Sequence, residues 1–112
     1  MPRDYKLYLE DIIEAIDKIE KYYPQNISLN LKEDSKTLDA IVKNLEIIGE
    51  ASSKVPQNIK DLASNIEWKK LSGLRNILVH EYFGIDVEIV EDIVRNKIPL
   101  LKNNIQDILL AE

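Results

Sequence analysis

Four side chains between residues 75 and 82, in the run RNILVHEY, carry most of the chemical potential of this chain: Arg75, Asn76, His80 and Tyr82. His80 is the only histidine. Imidazole titrates near neutrality, so it takes or gives a proton with equal ease. Guanidinium presents a fixed planar fork that matches a phosphate. Together these groups suit metal-free cleavage of RNA. The 2′-hydroxyl loses a proton as it attacks the adjacent phosphate, the departing 5′-oxygen gains one, and the arginine steadies the extra charge of the phosphorane. One imidazole falls short of an acid–base pair. A two-fold axis beside this segment would bring a second, so the chemistry calls for a homodimer.

On an ideal helix Arg75 and Tyr82, seven residues apart, nearly eclipse, and Asn76 and His80, four apart, are neighbours, so Asn76 can orient the imidazole. Arg75 and His80 diverge by about 140°. They meet around one phosphate if the helix loosens near His80, as the approach of Gly84 allows, or if a second chain completes the site. A plainer reading stands beside this one. A lone histidine often serves an interface, Arg75 can pair with Glu46 or Glu50, and Tyr82 can be a packing residue. Trp68 reads as core or interface.

Hydrophobic periodicity supplies the helices that would position these groups. Tyr5, Leu9, Ile12, Ile16, Ile19 and Tyr23 recur at threes and fours, with Asp4 as the cap and Pro24 as the stop. A second stripe runs Leu38, Ile41, Leu45, Ile48, Ser52, Val55, capped by Ser35 or Thr37 and ended by Pro56; Gly49 within it suggests a close helix crossing. A helical turn near Asn58 to Ala63 follows. The third long helix is expected from Glu67 or Trp68 to about Gly84, with Leu71, Leu74 and Leu78 on its apolar side. The fourth starts after a cap at Asp86 and carries Val87, Val90, Val94, Ile98, Leu101, Ile105 and Ile108, with a kink or a split at Pro99. The segment PQNISLNLKED, residues 24–34, reads as a polar loop. The pattern predicts one domain over residues 1–112, an all-α, up-and-down bundle of four main helices.

Composition narrows the function further. There is no cysteine, which removes disulfides and thiolate chemistry. The net charge of −5 argues against general coating of nucleic acid. That charge is uneven, however: residues 51–80 carry +3, while the stretches on either side carry −4 each. Lys69 and Lys70 lie in this basic island just ahead of Arg75 and are candidate RNA contacts, although a solvated lysine face would look the same. No membrane span is expected, and the charged start MPRDYKLYLEDII is unlike a signal peptide, so a cytoplasmic location is expected.

Arg75, four residues, His80, one residue and Tyr82 match the R-x4-H-x-Y signature of HepT toxins, within the HEPN superfamily. The stretch TLDAIVKNLEIIGEASSKVP, Thr37 to Pro56, resembles that family's second-helix block. IEWKKLSGLRNILVHEYFGID, Ile66 to Asp86, resembles its motif block, and KIPLLK, Lys97 to Lys102, resembles its closing segment. The resemblance implies a HEPN-like homodimer with the motif helices lining a cleft at the interface. It implies a metal-independent endoribonuclease toxin of a type VII toxin–antitoxin system, with Arg75 and His80 catalytic and Asn76 supporting them. The implied partner is an MntA-type minimal nucleotidyltransferase antitoxin, which uses ATP and magnesium to attach AMP to the motif tyrosine, here Tyr82. The toxin itself needs no cofactor on this reading. Because Tyr82 shares Arg75's face, added phosphates would place charge and bulk where an RNA phosphate must bind. Two departures are visible: EIVEDIVRNK lacks a tryptophan that the family often has there, and the linker PQNISLNLKED matches weakly.

Two other function classes fit parts of the sequence. A non-catalytic helical module that partners a nucleotidyltransferase would bind that enzyme and leave RNA intact. A purely structural adaptor would tolerate substitution at both Arg75 and His80.

Overall fold

The computed structural model describes residues 4–24, 30–74 and 87–111, all in helices and short connections, with no strand among them. Helix α1 spans Tyr5–Tyr22, α2 Ser35–Lys54, α3 Gln57–Leu62 and α4 Trp68–Ser72. Helix α5, Val87–Asp92, runs through a π-helical turn, Ile93–Lys97, into α6, Ile98–Ala111. Helix α2 packs on both α1 and α4, and α6 packs on α1.

Each long helix forms where its apolar stripe can be covered. On α1, Leu9, Ile12, Ile16 and Ile19 are fully buried, and Tyr23 just beyond it is 3% exposed. Asp4 caps the helix, its Oδ1 accepting from the Lys6 amide at 3.0 Å. The α2 stripe is buried from Ile41 to Val55, and the buried surface widens to Val42, Asn44, Gly49 and Ala51. A heptad seam serves one neighbour, whereas α2 has two, which explains the extra width.

The cap of α2 is neither Ser35 nor Thr37. It is Asp34, whose Oδ1 accepts from the Thr37 amide at 3.1 Å while its Oδ2 accepts from the Thr37 hydroxyl at 2.6 Å. Asp34 stands at the N-cap position with one oxygen for each bond, whereas Ser35 is already the first helical residue. These bonds hold the Asp34 carboxyl below the ordinary carboxylate range, the Thr37 hydroxyl contributing most. At the other end Val55 is extended (φ −68°, ψ 130°), as a residue before proline prefers, and Pro56 opens α3.

The interruption expected at Pro99 sits one turn earlier. Proline has no amide hydrogen and its ring crowds the carbonyl four residues back, at Arg95. The helix responds with the π-helical turn, in which the Ile98 amide donates to the carbonyl of Ile93. The extra residue leaves the stripe intact, since Val90, Val94, Ile98, Leu101 and Ile105 are all buried.

Two polar ties fix this C-terminal arm to α1. Arg95 Nη2 donates to the Tyr23 hydroxyl at 2.5 Å, with the guanidinium 5.1 Å from the ring centroid. Lys102 Nζ lies 2.8 Å from Glu20 and 3.1 Å from Asp17, which raises its pKa above the ordinary lysine value, the Glu20 bond contributing most. The linker is less polar in its role than in its composition. Leu31 within it is fully buried, held where Asn30 Oδ1 accepts from the Lys32 amide at 3.1 Å.

Candidate functional site

Arg75, Asn76, His80 and Tyr82 lie outside the described residues, as do Gly84 and the expected cap Asp86. The site is therefore built from the elements that lead into and out of that segment. The chain reaches it through α4, whose start is fixed by Trp68. The indole is 8% exposed, and its Nε1 donates to the Ala63 carbonyl at 3.1 Å, which ties α4 to the end of α3. The Trp68 amide donates to Ile66 and the Leu71 amide to Glu67, completing the first turn.

Helix α4 is interrupted after Ser72, and the expected continuation beyond Leu74 to about Gly84 lies outside the described residues. Gly73 keeps right-handed helical angles (φ −82°, ψ −6°), and its amide donates to the Lys69 carbonyl at 3.0 Å. A Cβ at Gly73 would stand 3.3 Å from that same carbonyl, so glycine relieves a tight approach. Leu74 is helical again and buried. Chain direction is thus preserved up to the last described residue before Arg75.

The helix α4 separates two cavities, one lined mainly by aliphatic side chains and one by charged, amide and hydroxyl side chains around the Trp68 ring. On one side, Leu71 and Leu74 join Ile89, Ile93, Leu100 and Leu101 around a groove of about 450 Å³. Leu100 is 61% and Ile89 40% exposed, high for large aliphatic side chains. On the other side a polar cavity of about 380 Å³ lies between α3 and α4, lined by Lys60, Asp61, Ser64, Trp68, Lys69 and Ser72 together with Gln57.

The two lysines read as RNA contacts part company here. Lys70 Nζ is 2.6 Å from Glu67 Oε2, and both residues border the apolar groove. That pairing holds the Glu67 carboxyl below its ordinary range. Lys69 faces the polar cavity instead, with Lys60, whose ammonium lies 5.9 Å from the Trp68 ring centroid. The sequence reading did not single out Lys60, Ser64 or Ser72. For Ser72 a signal existed in its spacing, four residues before Asn76 and eight before His80.

Comparison with known proteins places the chain. A profile described as Ribonuclease HepT-like matches residues 12–108, a span that contains the whole R-x4-H-x-Y segment. The chain belongs to the HepT-like family. It is 41% identical over 106 residues to a Thermococcus cleftensis protein named "Probable ribonuclease HepT", covering 95% of this chain and 96% of that one. It is 36% identical over 105 residues to a candidate RNase of Methanocaldococcus jannaschii, covering 93% and 95% of the two chains. A second M. jannaschii protein is named as a gamma-glutamylcyclotransferase and candidate RNase. It is 34% identical over 109 residues, spanning 97% of this chain but 49% of that one. No solved structure matches the chain. Among the described residues no helix is long and apolar enough to cross a membrane.

Proposed function

We propose that this HepT-like chain is a metal-independent endoribonuclease toxin that works as a homodimer, with Arg75 and His80 as its catalytic residues. The observation that carries the reading is the family match across residues 12–108, which encloses the motif, together with relatives that bear ribonuclease names and are matched over 96% and 95% of their length. On this reading one imidazole takes the proton from the 2′-hydroxyl as the oxygen–phosphorus bond forms. The His80 of a second copy gives its proton to the 5′-oxygen as that bond breaks. Arg75 holds the phosphate oxygens as negative charge builds on them, and Asn76 keeps the imidazole oriented. The apolar groove beside α4, with Leu100 and Ile89 exposed, supports the second copy, since aliphatic surface of this kind marks association.

Regulation on this reading runs through Tyr82. An MntA-type nucleotidyltransferase, using ATP and magnesium, would add AMP there and block the phosphate site with charge and bulk. Of the two basic candidates ahead of the motif, Lys69 is retained as an RNA contact; Lys70 is engaged by Glu67 on the other face.

The test is RNA cleavage in chelator by unmodified protein, its state checked by intact mass. Wild type should cleave, and Arg75→Ala and His80→Ala should each lose most of the activity. Equal cleavage by either variant would refute the assigned roles. Intact RNA from unmodified wild type that still binds a nucleotidyltransferase would instead make the chain a non-catalytic module.

A further inference from the structure

The polar cavity between α3 and α4 has no part in the cleavage step, yet its lining suits a nucleic acid strand. Lys60 and Lys69 both border it, and among the described residues no carboxylate lies within ion-pair distance of either. The one carboxylate in the lining, Asp61, accepts from Gln57 Nε2 at 2.8 Å, and with the two lysines it leaves the cavity a net charge of +1. Two hydroxyls, Ser64 and Ser72, share the cavity. Its volume of about 380 Å³ falls within the range of pockets that hold small ligands, roughly 300–1,000 Å³. The Lys60 ammonium lies 5.9 Å from the Trp68 ring centroid, at the outer edge of cation–π range, which keeps it on the cavity side of the indole.

Helical register ties this cavity to the motif. The sequence pattern predicts that the helix runs on from Leu74, and in that register Asn76 repeats the azimuth of Lys69 to within about 20°, as does His80. Arg75 repeats that of Trp68 to within about 20°. Ser72 then falls near the middle of the arc bounded by Arg75 and His80. The apolar groove borders the opposite side of α4, through Glu67, Lys70, Leu71 and Leu74. On that predicted register, a strand bound beside Asn76 and His80 would continue along α4 on the side of Lys69.

We propose that this cavity is a positioning subsite for single-stranded RNA, in which Lys60 and Lys69 hold a backbone phosphate next to the one that is cut and Ser64 and Ser72 meet the adjoining ribose. The subsite rests on the ribonuclease reading, and it acts on substrate binding rather than on the chemical step. It also separates two adjacent lysines that composition treats alike.

The experiment measures binding of a fully 2′-O-methylated RNA oligonucleotide, which lacks the attacking hydroxyl, by fluorescence anisotropy over a salt series. Cleavage kinetics on the unmodified strand are measured alongside. Lys60→Gln and Lys69→Gln should each weaken binding about three- to tenfold and lower the slope of log affinity against log salt by about 0.7. Their loss in cleavage should lie in KM, with kcat within about twofold. Lys60→Arg and Lys69→Arg should restore most of the binding. Lys70→Gln should stay within about twofold of wild type. Unchanged binding by both glutamine variants, or a loss with Lys70→Gln as large as theirs, would overturn the subsite. Lysine-dependent binding without cleavage would uphold the subsite and refute the ribonuclease reading. Absence of RNA binding by wild type would overturn both.

Discussion

Replacing Ser52 with alanine should make this protein more stable, although the hydroxyl lies at the centre of the fold. Ser52 is fully buried on α2, in line with Ile41, Leu45 and Ile48, and its Oγ has no hydrogen-bond partner among the described residues. A buried polar group left unpaired gives up its hydration for nothing, a penalty of about 1–3 kcal/mol. Alanine removes that penalty and adds up to about 0.5 kcal/mol of helix propensity. Against this stands the gap left by one oxygen atom, a small loss of packing contacts. The net expectation is a gain of about 1–2 kcal/mol. For a domain of this size that corresponds to a rise in Tm of about 4 °C for each kcal/mol.

The neighbouring serine supplies an internal control. Ser53 is exposed and its Oγ donates to the Glu50 carbonyl at 2.6 Å, so Ser53→Ala exchanges a satisfied surface hydroxyl for propensity alone. Urea denaturation of both variants at one protein concentration, with equal m-values, isolates the burial effect. A Ser52→Ala variant that is less stable than wild type, or that gains no more than Ser53→Ala, would refute the reasoning. It would mean that the hydroxyl does have a partner in solution, such as a trapped water.

Four further outcomes follow from particular contacts. Trp68→Phe removes the bond to the Ala63 carbonyl and should cost about 1 kcal/mol, read as a fall in Tm of about 4 °C. The Asp34 cap has a lowered pKa, so its support of α2 is complete above the ordinary carboxylate pKa and is lost as pH falls through the lowered one. Thermal melts of Asp34→Asn should accordingly show a shallower loss on acidification than wild type. Lys102, with its raised pKa, supports the α1–α6 contact fully below the ordinary lysine pKa and loses that support as pH rises through the raised value. Lys102→Met should cost no more than about 1 kcal/mol at neutral pH, because its partners are half exposed, with the difference shrinking in strong alkali. Leu100→Glu, at an exposed position in the apolar groove, should turn the proposed dimer into a monomer by light scattering and lower Tm only by what association contributes.

What the sequence made legible, and what it hid, divides along a physical line. Periodicity is written by burial, so the stripes of α1, α2 and the C-terminal arm were readable residue by residue, Ser52 included. Caps and interruptions depend on which of several adjacent groups wins a local competition. Asp34 displaced Ser35 and Thr37 by accepting two bonds, and the Pro99 defect moved upstream because the clash falls on Arg95 rather than on the proline. Leu31 was missed because one buried leucine in a polar loop has no period to betray it. At the candidate site, residue types were legible in the motif, whereas the flanking cavities were not, since each joins residues from two or more elements.

Charge shows how these levels combine. An acidic chain repels RNA at long range, and a net charge of −5 would by itself disfavour a nuclease. Long-range repulsion is screened within about 8 Å at physiological salt, while contacts at the site are not. Only the local arrangement then decides where a strand is held. Lys70, paired with Glu67, borders the apolar groove on the other face of α4, whereas Lys60 and Lys69 line the second cavity. Within the +3 island, Lys60 and Lys69 share one cavity with Asp61 beside Trp68, which leaves that cavity a net charge of +1. Acidic surroundings then act as a filter, since they weaken binding everywhere except beside the residues proposed to cut.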